Sequence, residues 1–143
     1  MKSKVIWSSN RMNWATPQEF YNELNKTFQF TLDPCADDQN HKCDKYYTEA
    51  QDGLSQDWSY ERVFCNPPYG RDLKRWVKKS YDEVYNGRCP LVVMLIPART
   101  DTKWFHDYVY HQAEVRFIKG RLRFGGADQP APFPSMLVIF REE

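Results

Sequence analysis

From Thr16 onward the apolar positions switch repeatedly between helical and strand spacing. Phe20, Leu24 and Phe28 lie one helical turn apart, with Tyr21 beside them. Thr16-Pro17-Gln18-Glu19 ahead of them reads as a helix start, with Thr16 as cap, Pro17 at the first helical position and Glu19 closing a capping box. This predicts a helix to about Thr27. Phe28-Gln29-Phe30-Thr31-Leu32-Asp33 then alternates and meets Pro34, which predicts a first strand ending at Asp33. Lys45-Tyr46-Tyr47-Thr48 reads as a short second strand, and Gly53 to Trp58 as a turn burying Leu54 and Trp58. Arg62 to Cys65 is a third strand. Leu73, Trp76, Val77, Tyr81 and Val84 return to helical spacing over residues 72–85, closed by Asn86-Gly87. Leu91 to Ile96 is an unbroken apolar run, the signature of a strand buried on both faces. Residues 102–111 read as a further helix, 113–118 as a strand and 136–140 as a last strand. Lys119 to Pro134 is rich in Gly and Pro and predicts a long loop, with an extended piece at Leu122–Phe124. Residues 1–13 read as a loose polar lead-in.

Strands separated by helices predict an α/β domain with a mostly parallel sheet. The last two strands have no helix between them, so they should pair antiparallel at one edge. At 143 residues the chain is long enough for one domain with its own core, and a single domain over 1–143 is expected. Ligands of such sheets sit at the carboxyl ends of the strands. Three abrupt strand ends therefore matter: Asp33-Pro34, Asn66-Pro67-Pro68-Tyr69 and Pro97-Ala98-Arg99.

Composition changes this picture little. Hydrophobic content of 41% and charged content of 27% are ordinary for a globular protein, while 16% aromatic residues suggest stacking surfaces or a large-residue core. No apolar run is long enough to span a membrane, and the N-terminus lacks the apolar core of a signal peptide, so a cytoplasmic protein is expected. Cys35, Cys43, Cys65 and Cys89 fit no zinc spacing, so reduced thiols and no metal are expected. Net charge is +1 but unevenly spread. Acids dominate from Asp33 to Glu61, whereas Arg71, Lys74, Arg75, Lys78 and Lys79 form one basic group and Arg116, Lys119, Arg121 and Arg123 another. The first suits a cationic small molecule, the others phosphates, and a solvated surface would look the same.

The chemistry concentrates at Asn66-Pro67-Pro68-Tyr69. Neither proline donates to a ladder, and Pro67 holds Asn66 extended. A polar amide, a stiff carbonyl and an aromatic ring are thus fixed at a strand end. The Asn66 side-chain oxygen and the Pro67 carbonyl can each accept a hydrogen from the amine of a planar base, freeing the nitrogen lone pair for attack on an activated methyl group. Tyr69 can stack on the base. Other positions carry two readings each. Asp33 serves a cationic cofactor or a turn; Thr16 is a cap, with or without a cofactor contact. Asp57 and Trp58 flank an adenine ring, or are a surface acid and a core indole. Phe124 walls the base pocket or packs in the core.

With these segments assembled, the chain resembles the small phage-type DNA N6-adenine methyltransferases, relatives of Dam, from about Trp14 to Phe140. The likeness rests on Trp14 to Pro17, Leu32 to Ala36, Asp57-Trp58, Asn66 to Tyr69, Leu95 to Phe105 and Gly120 to Phe124. It implies a Rossmann-like class I methyltransferase fold, mostly parallel with an antiparallel edge strand, that uses S-adenosylmethionine to methylate the exocyclic amine of a flipped adenine in double-stranded DNA. By the same resemblance Asn66, Pro67, Pro68 and Tyr69 are the catalytic motif. Thr16, Pro17, Asp33, Pro34, Cys35, Ala36 and Asp57 fall on cofactor-binding positions, and Tyr69, Arg121 and Phe124 on the substrate side; Trp58 joins the cofactor set as the neighbour of Asp57, and Arg71 and Arg123 the substrate set through the basic groups. If the protein is phage-encoded, its place is the host cytoplasm.

The chain departs from the family pattern in lacking Gly-x-Gly after Asp33-Pro34, so the usual glycine loop is not expected. Glu49 and Asp52 both remain candidates for the ribose-binding acid. Without a separate recognition domain, sequence reading falls to the 119–134 loop, the N-terminus or a second subunit, which leaves a homodimer open. Other substrates with a planar NH2 group fit the same motif: a cytosine amine, an RNA base or a glutamine amide. A non-catalytic nucleic-acid-binding relative is the reading from another class.

Overall fold

The computed structural model describes residues 15–125 and 130–142; the lead-in 1–13 lies outside the described residues. Six strands form one mixed sheet in the order β2-β1-β3-β4-β6-β5: β1 (Leu32–Ala36), β2 (Lys45–Thr48), β3 (Arg62–Cys65), β4 (Leu91–Pro97), β5 (Glu114–Phe117) and β6 (Ser135–Arg141). Among the described residues two α-helices flank it, α1 (Gln18–Phe28) and α2 (Leu73–Tyr85). The two last strands do pair antiparallel. The antiparallel strand is not itself the edge, however. β6 runs antiparallel between β4 and β5, and β5 closes the sheet.

The β4 run shows why the sheet has two covered faces. Val92, Met94 and Ile96 enter one core with Trp76, Val77 and Val84 of α2. Leu91, Val93 and Leu95 enter another with Tyr21 and Phe28 of α1, Phe124 and Ala131. Successive side chains of a strand point to opposite faces, so an unbroken apolar run is what two cores require. β4 and β6 pair without interruption from Leu91↔Arg141 to Pro97↔Ser135.

The first strand differs from expectation. α1 continues through Phe28, and Gln29 ends it in a left-handed conformation. β1 then starts at Leu32 and runs through Pro34 to Ala36. Pro34 removes a ladder donor, and the pairing with β2 shifts register between Asp33 and Ala36 to absorb it. The N-terminal cap also differs. Pro17 is the residue before the helix and no side chain caps it. Thr16 is buried, its hydroxyl engaged elsewhere. No strand forms at Leu122–Phe124. The segment 103–109 is helical, but it is π-type over Phe105–Val109.

The connections are sparer than alternating strands and helices suggest. β1 and β2 are parallel neighbours joined only by residues 37–44, with no helix. Between β2 and β3 lie two short 3-10 turns, Glu49–Gln51 and Gly53–Ser55. Among the described residues only the β3–β4 crossover carries a full α-helix. Gly53 is dictated by packing: a Cβ there would stand 2.3 Å from the Pro34 carbonyl oxygen. Among the described residues no helix is long and apolar enough to cross a membrane.

Candidate active site

A cavity of about 680 Å³ opens at the carboxyl ends of β1, β2 and β3. Its wall takes Cys35 and Ala36 from the end of β1, the turn 37–40, Thr48 from the end of β2 with Glu49-Ala50 just after it, and Asn66-Pro67-Pro68 just after β3, with Ala15 and Gly125 completing it. Three acidic residues, Asp37, Asp38 and Glu49, line it, and among the described residues no Lys or Arg does. Such a wall attracts a cation.

The turn at 37–40 stands where a glycine loop would be. The Asp37 carboxylate accepts from the amides of Gln39 (2.8 Å) and Asn40 (2.7 Å), and Asp37 and Asn40 bridge through their backbones. A side-chain-closed turn thus replaces the backbone freedom of glycine. Asp38 accepts from the Tyr46 hydroxyl at 2.9 Å, and Tyr46 stacks on His41 at 3.9 Å.

Asp33 supports this loop from below and is not on the cavity wall. Its two carboxylate oxygens accept from the amides of Cys35 (3.2 Å) and Lys42 (2.9 Å), so one side chain pins both ends of the connection. Burial pushes its carboxyl above the ordinary range, against the opposing pull of those amides. Lys42, whose ammonium burial pulls downward, reaches Gln18 of α1 at 2.9 Å.

At the end of β3 the Asn66 amide is held at both ends. Its Nδ2 donates to Thr16 Oγ1 at 2.9 Å, and its Oδ1 accepts from the Tyr69 hydroxyl at 2.8 Å. Tyr69 Oη also lies 3.2 Å from the Leu95 carbonyl. The Tyr69 ring packs edge-on against Phe124 (6.4 Å) and Phe133 (5.5 Å). Burial raises the phenol well above its usual range, so it stays a neutral donor.

The structure thus gathers Pro67, Pro68, Asn66, Cys35 and Ala36 around one cavity, with Thr16 and Tyr69 bonded to Asn66 and Pro17 following Thr16. Pro34 lies behind the wall, against Gly53. It keeps Asp57 and Trp58 out. Trp58 is fully buried, donates Nε1–H to the Gly53 carbonyl at 3.0 Å and stacks on Trp76 at 6.3 Å, with Lys79 over its ring. The exposed Asp57 carboxylate accepts from the Ser59 amide, and hydrogen bonds from the Ser59 side chain first and its amide second lower its pKa. Phe124 is fully buried. Arg71, Arg121 and Arg123 are exposed, and Arg121 donates to the Ala131 carbonyl at 3.3 Å. Of the cations on and just before α2, Arg75, Lys78 and Lys79 are tied to Asp72, Asp82 and Glu83, whereas Arg71 and Lys74 make no ion pair among the described residues. Sequence reasoning left Glu49 and Asp52 level. Glu49 lines the cavity, and Asp52 accepts from the Leu54 amide within its own turn. It missed Asp37, Asp38, Gln39 and Asn40, although a run of turn-forming residues directly after β1 was the available signal. Among the described residues no cluster of three metal-ligating side chains occurs.

Comparison with known proteins bears on this geometry. The family model described as DNA N-6-adenine-methyltransferase (Dam) matches residues 3–143. The chain is 31% identical over 140 residues to the DNA N-6-adenine-methyltransferase of Haemophilus phage HP1, covering 92% of this chain and 80% of that protein. It is 31% identical over 112 residues to the DNA N-6-adenine-methyltransferase of Escherichia phage T1, covering 76% of this chain but 45% of that longer protein.

Proposed function

The chain belongs to the DNA N-6-adenine-methyltransferase (Dam) family, and on that premise we propose that it transfers a methyl group from S-adenosylmethionine to N6 of an adenine flipped from double-stranded DNA. The observation that carries this reading is the cavity itself: an acid-lined, cation-seeking hollow ending at Asn66-Pro67-Pro68. The parallel β2-β1-β3-β4 strands with antiparallel β6 beside them support a Rossmann-like class I arrangement, reduced by the missing helix between β1 and β2.

The donor set fits this cofactor, which carries an ammonium and a sulfonium charge. Asp37, Asp38 and Glu49 offer carboxylates to those charges and to ribose hydroxyls, and Glu49, at the end of β2, is assigned the ribose. When bound, S-adenosylmethionine supplies an electrophilic methyl group. Every other role falls to the chain. Pro67 and Pro68 stiffen the site, so the acceptors need not reorganise as the reaction proceeds. Asn66 Oδ1 and the Pro67 carbonyl accept the two amine hydrogens and draw the nitrogen out of ring conjugation. Thr16 keeps Nδ2 of Asn66 occupied, which orients Oδ1 toward the amine. The Tyr69 hydroxyl holds Oδ1 before substrate arrives, so the incoming amine takes over an acceptor already in place. Its ring stacks on the base. The exposed Arg71, Lys74, Arg121 and Arg123 are assigned to phosphates.

The test is incubation of the chain with duplex DNA and methyl-labelled S-adenosylmethionine, followed by nucleoside analysis. Label on N6-methyladenine is expected. Label on N4-methylcytosine, on RNA alone or on no base overturns the reading.

A further inference from the structure

Cys35 and Cys65 place their sulfurs 3.6 Å apart across the carboxyl ends of β1 and β3. Cys35 is partly exposed and lines the cavity; Cys65 is fully buried and directly precedes Asn66. The other two thiols differ. Cys43 contacts the Tyr21 hydroxyl at 3.4 Å, and Cys89 contacts the carbonyls of Glu61 (3.1 Å) and Leu91 (3.3 Å). Both are buried, and burial pushes both thiols up to about 11. Among the described residues the Cys35–Cys65 contact is the one thiol–thiol contact.

We propose that Cys35 and Cys65 form an oxidation site, in which a peroxide entering the cavity converts the thiol pair into a disulfide beside Asn66. Hydrogen peroxide is the suitable oxidant class because it is small and neutral, while the carboxylates of Asp37, Asp38 and Glu49 repel an anionic disulfide such as oxidised glutathione. The accessible sulfur reacts first. Cys35 attacks one peroxide oxygen, the O–O bond breaks, and the products are Cys35 sulfenic acid and water. Cys65 then attacks the Cys35 sulfur, the S–O bond breaks, and the hydroxyl leaves as a second water with the Cys65 proton. Two thiols are oxidised, one peroxide is reduced, and the chain loses two hydrogens. Bringing the sulfurs from 3.6 Å to a bonded distance of about 2.05 Å requires a closure of about 1.5 Å. That closure pulls the cavity wall at Cys35 toward the β3 end and shifts the backbone next to Asn66. Cofactor affinity should therefore fall; this part rests on the function proposed above.

The experiment treats the full chain with hydrogen peroxide, blocks remaining thiols with N-ethylmaleimide under denaturing conditions, and maps peptides by mass spectrometry. The expected product is a Cys35–Cys65 linked peptide, abolished by dithiothreitol, with Cys43 and Cys89 still alkylated. Conversion of Cys35 to sulfinic acid with Cys65 alkylated overturns the site, and so does linkage to Cys43 or Cys89. In Cys65→Ala the link is absent and Cys35 proceeds to sulfinic acid. Calorimetry with S-adenosylmethionine should show affinity at least about tenfold weaker after oxidation and restored by dithiothreitol. A linked protein that binds as tightly as the reduced one overturns the control of the site. Failure of the reduced protein to bind strikes instead at the proposed function, which the peptide map does not depend on.

Discussion

The two halves of the sheet are built on different terms. On the β4–β6–β5 side, β4 and β6 pair over their full lengths, every β4 residue is buried, and cross-strand packing fills both faces. On the β1–β2 side, β1 contains a proline and a register shift, shares one register pair with β3, and connects to β2 without a helix. Every strand that ends at the cavity lies on this second side or borders it. The regular half supplies rigidity through side-chain packing. The irregular half gives up ladder bonds and spends polar side chains, notably Asp33, Asp37 and Asn66, to hold backbone open toward solvent. The difference teaches that the tightly packed ladder and the candidate site occupy separate parts of one small sheet.

Substitutions should therefore separate the two. The largest effect is expected for Asn66→Ala. Methyl transfer should fall by about 10²–10³-fold, the cost of removing one preorganised polar group, while the calorimetric cofactor affinity stays within about threefold. Comparable turnover by the variant removes Asn66 from its role. Ile139→Ala, in the regular half, should lower unfolding free energy in urea by about 2–5 kcal/mol, with the rate under native conditions unchanged. A larger loss of rate than of stability would erase the division. Asp33→Asn lies between, because an amide cannot accept from both Cys35 and Lys42. It should cost about 1–3 kcal/mol, and cofactor binding should weaken with it. Intact binding would mean that the 37–44 connection holds its shape without this side chain. The smallest effect is a pH dependence of the buried thiols. Burial raises Cys43 and Cys89 from 9.0 to about 11. The unfolded chain releases these protons first, so their contribution is complete below pH 9 and is lost as pH rises to 11. The melting temperature should fall across that window, and less steeply in a Cys43→Ala/Cys89→Ala protein.

The same division governs what the sequence made visible. Arg62–Cys65 and the Leu91 run were readable because their apolar residues report burial directly, the half-exposed Lys45–Thr48 because Tyr and Thr favour strands, and Asn86-Gly87 marked the end of α2 through its backbone preferences. Asn66-Pro67-Pro68 was readable because two prolines end a strand whatever surrounds them. β1 was misplaced because Phe28 and Phe30 alternate like a strand, although Phe28 closes α1 and both rings pack on Phe64 or one another. Pro34 read as a stop, yet a register shift lets the strand pass through it. Thr16 read as a cap because local spacing cannot reveal a partner 50 residues away. The burial of Trp58 was legible in the Gly53–Trp58 turn while its bond to the Gly53 carbonyl was not, and which of Glu49 and Asp52 lines the cavity depends on where β2 ends in space.

One pair of contacts has a consequence for motion. Ala15 accepts from the Gly125 amide at 2.7 Å, and Thr16 accepts from Asn66 at 2.9 Å. Neither belongs to the sheet ladder. Together they act as a hasp between the start of the fold, the β3 end and the loop before residue 130. A hasp of two hydrogen bonds can open by local fluctuation while the β4–β6 ladder remains shut, because small openings cost far less than global unfolding. The Gly125 amide should then exchange with deuterium much faster than those of Val93 or Ile139. This edge of the cavity is in this sense a separately melting part of the molecule, able to open without disturbing the half that keeps it folded.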